Sequence, residues 1–305
     1  MCSVSSDKVY EPIVLALGNF DGVHIGHKRL LERGLEKARL LNVSLAVLLF
    51  DPHPLKILYP ERELNLLTGR KERLKIFEEI GVDIVYIIPF THDFSITSPH
   101  EFIDKVVLRL NSVHLVVGFN YSFGIRGIGK PQDLVSYGEK NGFGVSILSP
   151  QMINGRIISS SEIRKNLIAG DILLAKEMMG RSPSILGTVV NGDKRGRILG
   201  FPTANIRTDK GMLIPKNGVY AVTSKIGEKT FGGMMNIGYR PTFDSNLEKS
   251  IEVNFFDFSG DLYGLEMKIE IQDRLRAEKK FSGVEEIIAQ LNRDKENALK
   301  IINSL

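Results

Sequence analysis

The chain has no tryptophan, one cysteine and no long apolar run. With Cys2 as the only thiol, no disulfide can close within the chain, and a reducing compartment is expected. No stretch approaches the roughly 20 apolar residues of a membrane-spanning helix. The opening MCSVSSDKVYEP lacks the apolar core of a secretory signal. These absences together point to a cytoplasmic protein with no membrane partner. The missing tryptophan excludes nothing. Charge of one sign is also scarce: 40 Lys and Arg against 36 Asp and Glu leave a net +4. Such a surface suits phosphate-bearing ligands or RNA, and a solvated lysine excess accounts for it as well. All six histidines lie at or before His114. Any proton-transfer group beyond that point must be a carboxylate, a tyrosine or a lysine.

At 305 residues, two domains are expected, since about 150 residues per domain is the usual guide. Residues 13–17, 44–50, 84–90, 115–118 and 145–148 read as strands. Helical patterns separate them, such as Leu30, Leu31, Leu35, Ala38 and Leu41. Ser98-Pro99-His100-Glu101 has the form of a capping box with proline at the first helical position. This alternation predicts a parallel sheet covered on both faces. Past Gly180 the character changes. Short β-type runs at 218–226, 230–237, 251–258 and 265–271 are divided by glycine and proline, as in an antiparallel barrel or sandwich. Ser282 and Glu285 form a second capping-box pattern. A closing helix is therefore expected to start at Ser282, with Val284, Ile287, Ile288, Leu291, Ala298 and Ile302 on one stripe. The boundary is placed between 1–180 and 181–305.

The most informative stretch is Leu17-Gly18-Asn19-Phe20-Asp21-Gly22-Val23-His24-Ile25-Gly26-His27, on a strand-to-helix turn. Its glycines let backbone approach a ligand. The helix start offers free N–H groups and positive potential to phosphate. His24 and His27 face one spot. The set fits a nucleoside triphosphate, without the lysine of a Walker loop. Glycines closing a turn and histidines capping a helix are the structural alternative. Farther on, Ser159, Ser160 and Ser161 gather hydroxyls before an amphipathic helix. Arg164 in that helix is a planar cation suited to phosphate oxygens. Asp51 and His53 sit together where a strand ends in a proline turn. Val117-Gly118-Phe119-Asn120-Tyr121-Ser122-Phe123-Gly124 follows another strand and leads to Arg126 and Lys130.

Phe-Asp-x-x-His-x-Gly-His resembles the signature of the HxGH nucleotidyltransferases. The longer GNFDGVHIGH resembles the adenylyltransferase half of bacterial bifunctional riboflavin kinase/FAD synthetase. ISSSEIR is similar to the family's ISSTxIR, with Ser161 where threonine is common. VGFNYSFG is similar to its flavin-binding loop, VGxDFxFG or VGxNFxFG. The resemblance implies a Rossmann-like N-terminal domain that joins FMN and ATP into FAD. ATP would be held by Gly18, Asn19, Phe20, Asp21, His24, His27, Ser159, Ser160 and Arg164, and flavin by Asp51, His53, Asn120, Phe123 and Arg126. Asn120 cannot carry charge, which leaves it a positioning role. Tyr121 and Phe123 equally suit a core. The nucleophile is a phosphate oxygen, already anionic, so no base is required. The site must align the reactants and neutralise charge on the α-phosphate and the departing pyrophosphate. His24, His27 and Arg164, with helix N-termini and Mg²⁺, fit that need.

In the second half, Gly187, Gly192, Lys194, Gly196, Gly200 and Pro202 belong to a glycine-rich basic stretch able to wrap phosphates with backbone N–H groups. A solvated basic turn is the plain alternative. Thr203 and Asn205 place two neutral oxygens two residues apart, acceptable to a hard Mg²⁺ ion. GRILGFPTANI resembles the riboflavin kinase signature GRxLGFPTANI. The likeness continues at 217–220, 236–242, 252–258, 261–264 and 278–281. It implies an antiparallel β-barrel with a C-terminal helix that converts riboflavin and ATP into FMN. Glu252, matching the glutamate of ExhxxxDF, would be the base for the ribityl 5′-hydroxyl. Asn191 stands where histidine is frequent, and Ala277 where aspartate is frequent. Small-molecule substrates are expected. An FAD synthetase with a weak kinase half is the runner-up. A flavin-responsive RNA-binding regulator is the rival from another class. No aromatic-basic RNA motif is visible, so a nucleic-acid partner is not expected. A homo-oligomer stays open.

Overall fold

A computed structural model describes residues 10–192, 196, 199–240 and 248–305. Lys194, expected among the phosphate-loop residues, and the end of the 236–242 string lie outside them. The chain forms two compact units, Met1–Ser160 and Ser161–Leu305.

The first unit holds a five-stranded parallel sheet. Its strands are β1 Ile13–Leu17, β2 Ser44–Asp51, β3 Ile84–Pro89, β4 Ser112–Gly118 and β5 Gly144–Leu148. They lie in the order β3-β2-β1-β4-β5, every pair parallel. Period-2 alternation divides the apolar residues between two faces. Ile13, Leu15, Leu17, Ala46, Leu48, Leu115 and Val117 bury one way with Phe102, Val106 and Leu134. Val14, Ala16, Leu45, Val47, Leu49 and Val116 bury the other way with Leu30, Leu31, Ala38, Ile76 and Phe77. The latter helical residues come from α1 Ile25–Leu41 and the helix Arg70–Ile80. The expected Ser98–Glu101 capping box is present, with Pro99 in the first turn. A two-stranded hairpin, β6 Met152–Ile153 and β7 Arg156–Ile157, follows β5.

The second unit is a closed barrel of β8 Ser184–Val190, β9 Ala204–Thr208, β10 Gly218–Ile226, β11 Lys229–Arg240, β12 Glu248–Phe255 and β13 Glu266–Arg276. Around the barrel they run β10-β11-β12-β9-β8-β13, closed by β13 on β10. Every pairing is antiparallel, so of the two all-β alternatives the barrel is found. Val219 and Ala221 pack outward with Ala298 of the C-terminal helix Val284–Ile302. The alternating Tyr220 and Val222 are fully buried on the opposite side of β10.

Two helices precede the barrel, Ser160–Ala169 and Ile172–Met179, and they pack with it. The Lys216 amide donates to the Leu167 carbonyl at 3.1 Å. Buried Gln272 of β13 accepts from Lys176 Nζ at 3.1 Å and from Ser182 Oγ at 2.8 Å.

One expected start is corrected. The C-terminal helix begins at Val284 with Gly283 as its cap, not at Ser282. Ser282 uses its amide and hydroxyl on the Glu286 carboxylate, at 3.0 and 2.8 Å. The acceptor lies one residue beyond the expected Glu285, so the capping-box spacing fails.

Candidate active sites

β1 delivers its motif to the carboxyl edge of the sheet, where strand order reverses between β1 and β4 and open α/β sheets bind ligands. The turn is strained. Phe20, Gly22 and Val23 take φ of 50°, 81° and 34°. Positive φ costs a non-glycine residue ~1–3 kcal/mol and persists only where its surroundings enforce it. Hydrogen bonds surround this turn. The Asp21 carboxylate, 1% exposed, accepts the Leu67 amide at 3.0 Å and the Thr68 amide at 3.2 Å. The Gly22 amide donates to Thr68 Oγ1 at 3.0 Å. Ser160 Oγ donates to the Asp21 carbonyl at 2.8 Å. Arg73 Nη1 donates to the Asn19 carbonyl at 3.1 Å.

His24 caps α1: its Nδ1 accepts the His27 amide at 3.3 Å. A ring nitrogen that accepts carries no proton, so in the neutral imidazole the proton sits on Nε2, which is then a donor. The His27 ring stacks on it, centroids 3.7 Å apart and planes 15° apart, with Phe20 at 5.1 Å from His27. A Cβ on Gly26 would fall 3.2 Å from the His24 ring. Glycine therefore leaves the imidazole its room. The capping alternative is thus present for His24, and it fixes the tautomer rather than competing with a ligand role.

The expected flavin residues lie along the ends of β2 and β4. Exposed Asp51 pairs with Arg70 at 2.8 Å. His53 is buried and caps the short helix Pro54–Leu58, its Nδ1 accepting the Leu55 amide at 3.2 Å. Asn120 and Arg126 are exposed on the loop after β4, with Arg126 at φ 52°. Phe123 is buried against Phe102, at 5.3 Å, and stacks with Tyr121 at 6.1 Å. Its ring is thus packed among aromatic neighbours in this structure. Burial raises the Tyr121 phenol above its ordinary range. Ser159 directly precedes the helix Ser160–Ala169, which carries Arg164.

In the barrel, residues far apart in sequence come together. Glu252 on β12 lies opposite Asn205 of β9 on one side and Asn236 of β11 on the other. Opposed residues share a face, so these three side chains form a row. Thr203 Oγ1 donates to Glu252 Oε2 at 3.3 Å. Asn254 Nδ2 holds the Pro202 carbonyl at 2.7 Å and anchors the approach to Thr203. A Cβ on Gly192 would overlap the Asn205 amide at 2.0 Å, so the loop backbone lies directly on that side chain. Gly196 closes on the Phe201 carbonyl and Gly187 on β9. Gly200 stands at φ 81° with open space around it. A cleft of about 330 Å³ opens beside Thr203, walled by Pro202, Phe255, Phe258 and Tyr263. Among the described residues, no three His, Cys, Asp or Glu side chains gather as a metal site.

Two family models match this chain: FAD synthetase over residues 6–162 and riboflavin kinase over 179–302. A Listeria monocytogenes protein named bifunctional riboflavin kinase/FMN adenylyltransferase is 42% identical, over 93% of this chain and 90% of that one. A Bacillus subtilis protein of the same name is 38% identical, over 96% and 93%. The chain belongs to the bifunctional riboflavin kinase/FMN adenylyltransferase family. Its two halves are an FAD synthetase domain and a riboflavin kinase domain. A crystal structure from Streptococcus pneumoniae, described as a macrolide-efflux protein, superposes with a TM-score of 0.87 at 30% identity over 95% of both chains. No helix among the described residues here is long and apolar enough to cross a membrane.

In the FAD synthetase domain no sequence motif singles out Thr68 or Arg73. Arg73 is 7% exposed, and burial lowers its pKa against the opposing pull of Asp21 and Asp51. The only signal was a threonine-glycine helix start with basic residues at 70, 71 and 73. In the riboflavin kinase domain, Asn236 and Glu278 lie in strings that resemble the family but carry no role by sequence alone. The Glu278 carboxylate accepts from Asn217 Nδ2 at 3.1 Å and lies against Gly238.

Proposed function

We propose that the barrel phosphorylates riboflavin at Thr203, Asn205 and Glu252, and that the FAD synthetase domain adenylylates the resulting FMN at His24 and His27. The observation that carries the reading is the Thr203–Glu252–Asn205 juxtaposition, assembled from two strands and a loop. Glu252 accepts the proton of the ribityl 5′-hydroxyl as that oxygen attacks the γ-phosphate of ATP, and ADP leaves. The hydroxyl that Thr203 turns to Glu252 leaves its own lone pairs for another partner. Thr203 Oγ1 and Asn205 Oδ1, two neutral hard oxygens beside one carboxylate, fit Mg²⁺, which is usually completed by water and substrate phosphates. When bound, that ion would neutralise charge on the transferring phosphoryl group. On the family resemblance, the glycine-rich stretch that holds Gly192, Gly196, Gly200 and Pro202 would offer backbone amides to the phosphates.

In the other domain the FMN phosphate attacks the α-phosphate of ATP and pyrophosphate leaves. The Nε2–H of His24, fixed by its cap, donates to a phosphate oxygen. His27 stands beside it, and Gly18, Asn19 and Phe20 shape the approach. On the family resemblance, Ser159, Ser160 and Arg164 take ATP phosphates, while Asp51, His53, Asn120, Phe123 and Arg126 line the flavin side. Asp21 serves by holding the turn. The helices Ser160–Ala169 and Ile172–Met179 pack with the barrel, which favours a kinase fragment that begins near 161 over one that begins at 181. The use of ATP in both reactions suits the cytoplasm.

Incubating the chain with riboflavin and Mg-ATP, then separating products by chromatography, tests the reading. FMN should form first and FAD should follow. Absence of both FMN and FAD from the riboflavin incubation overturns the kinase assignment, and absence of FAD from supplied FMN overturns the other.

A further inference from the structure

The turn 19–23 carries His24 into place, yet its backbone is strained at Phe20 and Val23. What opposes that strain comes mainly from one distant segment, 67–73. Four hydrogen-bonding groups reach the turn from it: the Leu67 and Thr68 amides, Thr68 Oγ1 and Arg73 Nη1. They engage the Asn19 carbonyl, the Asp21 carboxylate and the Gly22 amide, so the chain is held on both sides of Phe20. Arg73 is the expensive member. It is buried to 7% exposure, makes its contact to a neutral carbonyl, and leaves Nε buried without a hydrogen bond. A core serving stability alone would place an apolar residue there, since incompletely compensated buried charge favours unfolding.

We propose that Thr68 and Arg73 are positioning residues for adenylyl transfer: they brace the Asn19–Gly22 turn and so hold His24 and His27 in reactive geometry. The inference rests on the assignment of that histidine pair to FAD synthesis. Thr68 sets the direction of the Gly22 peptide, one residue before Val23 and two before His24. Arg73 sets that of the Asn19 peptide, immediately after the strand-end glycine. Neither side chain is assigned contact with ATP or FMN. Their loss should therefore appear in turnover rather than in substrate affinity.

The experiment uses the full chain with FMN and Mg-ATP, and compares Thr68→Val, Arg73→Met, Arg73→Lys and His27→Ala with the parent. Misplacement of catalytic groups by about 1 Å can cost on the order of 10²-fold in rate. Thr68→Val and Arg73→Met are expected to lower kcat for FAD formation roughly tenfold or more, with KM for both substrates within about threefold. Arg73→Lys, which restores a cationic donor, should recover part of kcat. Riboflavin phosphorylation by the same samples should stay at the parent rate and reports folding of the other unit. If Arg73→Met is insoluble, the near-isosteric Thr68→Val carries the test. Parent-like kcat in Thr68→Val, or a loss confined to KM, overturns the brace. Parent-like FAD formation in His27→Ala overturns the histidine assignment instead, which separates the two failures.

Discussion

Thr203 Oγ1 lies 3.3 Å from Glu252 Oε2 across 49 residues of sequence. The contact joins the end of a glycine-rich loop to the middle of a barrel strand. It ties the group suited to cation binding to the group suited to proton acceptance. Asn205 completes the set by pairing with Glu252 between β9 and β12. The barrel thus supplies rigidity where the loop alone would not, and sites on strands are held more tightly than sites on loops.

Glu252→Gln keeps the shape and the acceptor for Thr203 but removes proton-accepting charge. General-base contributions run about 10²- to 10⁴-fold. FMN formation should fall by that factor, while FAD formation from supplied FMN stays near the parent rate. Parent-like phosphorylation of riboflavin would reduce Glu252 to a strand carboxylate.

A fragment beginning at 161 should fold and phosphorylate riboflavin, and one beginning at 181 should be the weaker protein. The shorter fragment loses buried Ile163, Leu167, Ile172, Ala175, Met178 and Met179. It also loses the Lys216–Leu167 and Lys176–Gln272 hydrogen bonds. A melting temperature lower by about 5 °C or more is expected, since ~1 kcal/mol shifts a domain of this size by several degrees. Equal melting and equal activity would show that the helix pair is dispensable.

Much of this architecture was legible because its patterns were strong. The five parallel strands announced themselves as short apolar runs between helical periods, and the β-type run 218–226, set off by glycine and proline, coincides with β10. β9 was hidden: Ala204–Thr208 is five residues long and runs straight out of the glycine-rich loop. The helix start at Val284 was misread because Ser282 and Glu285 imitate a capping box, whereas the serine reaches Glu286. Thr68 and Arg73 left no signal beyond a threonine-glycine helix start with basic residues after it. Their role depends on a fold-level approach of residues about 50 positions apart, and no local spacing encodes it.

Arg276 and Asp294 should be strongly coupled in the stability of the kinase domain. Arg276 Nε lies 3.0 Å from both carboxylate oxygens and Nη2 lies 2.7 Å from one, with the Asp294 side chain 2% exposed. This pair pins the C-terminal helix to the end of β13. Removing one partner of a buried pair typically costs ~3–5 kcal/mol. Asp294→Asn and Arg276→Met should each destabilise by that order in urea unfolding, and the double variant by less than the sum. Additive losses would show that the two residues act separately.

His114 should make the FAD synthetase domain lose stability on mild acidification. Its ring is buried, Nε2 lies 2.9 Å from Ser146 Oγ, and a Cβ on Gly144 would collide with Nδ1. Burial, with Lys37 and Arg33 adding repulsion, lowers its pKa from 6.5 to about 4. Between those values the unfolded chain binds a proton that the folded chain does not. Stability therefore rises with pH across that window and is flat above it. Glu101 follows a different course. Hydrogen bonds from Lys105 and Ser98 lower its pKa from 4.5 to about 2, so its contribution is lost only as pH falls below that higher value. The urea midpoint of the parent domain should drop between pH 7 and pH 5, by an amount the His114→Gln variant largely lacks. Parallel pH curves for parent and variant would mean that His114 titrates alike in the folded and unfolded chains.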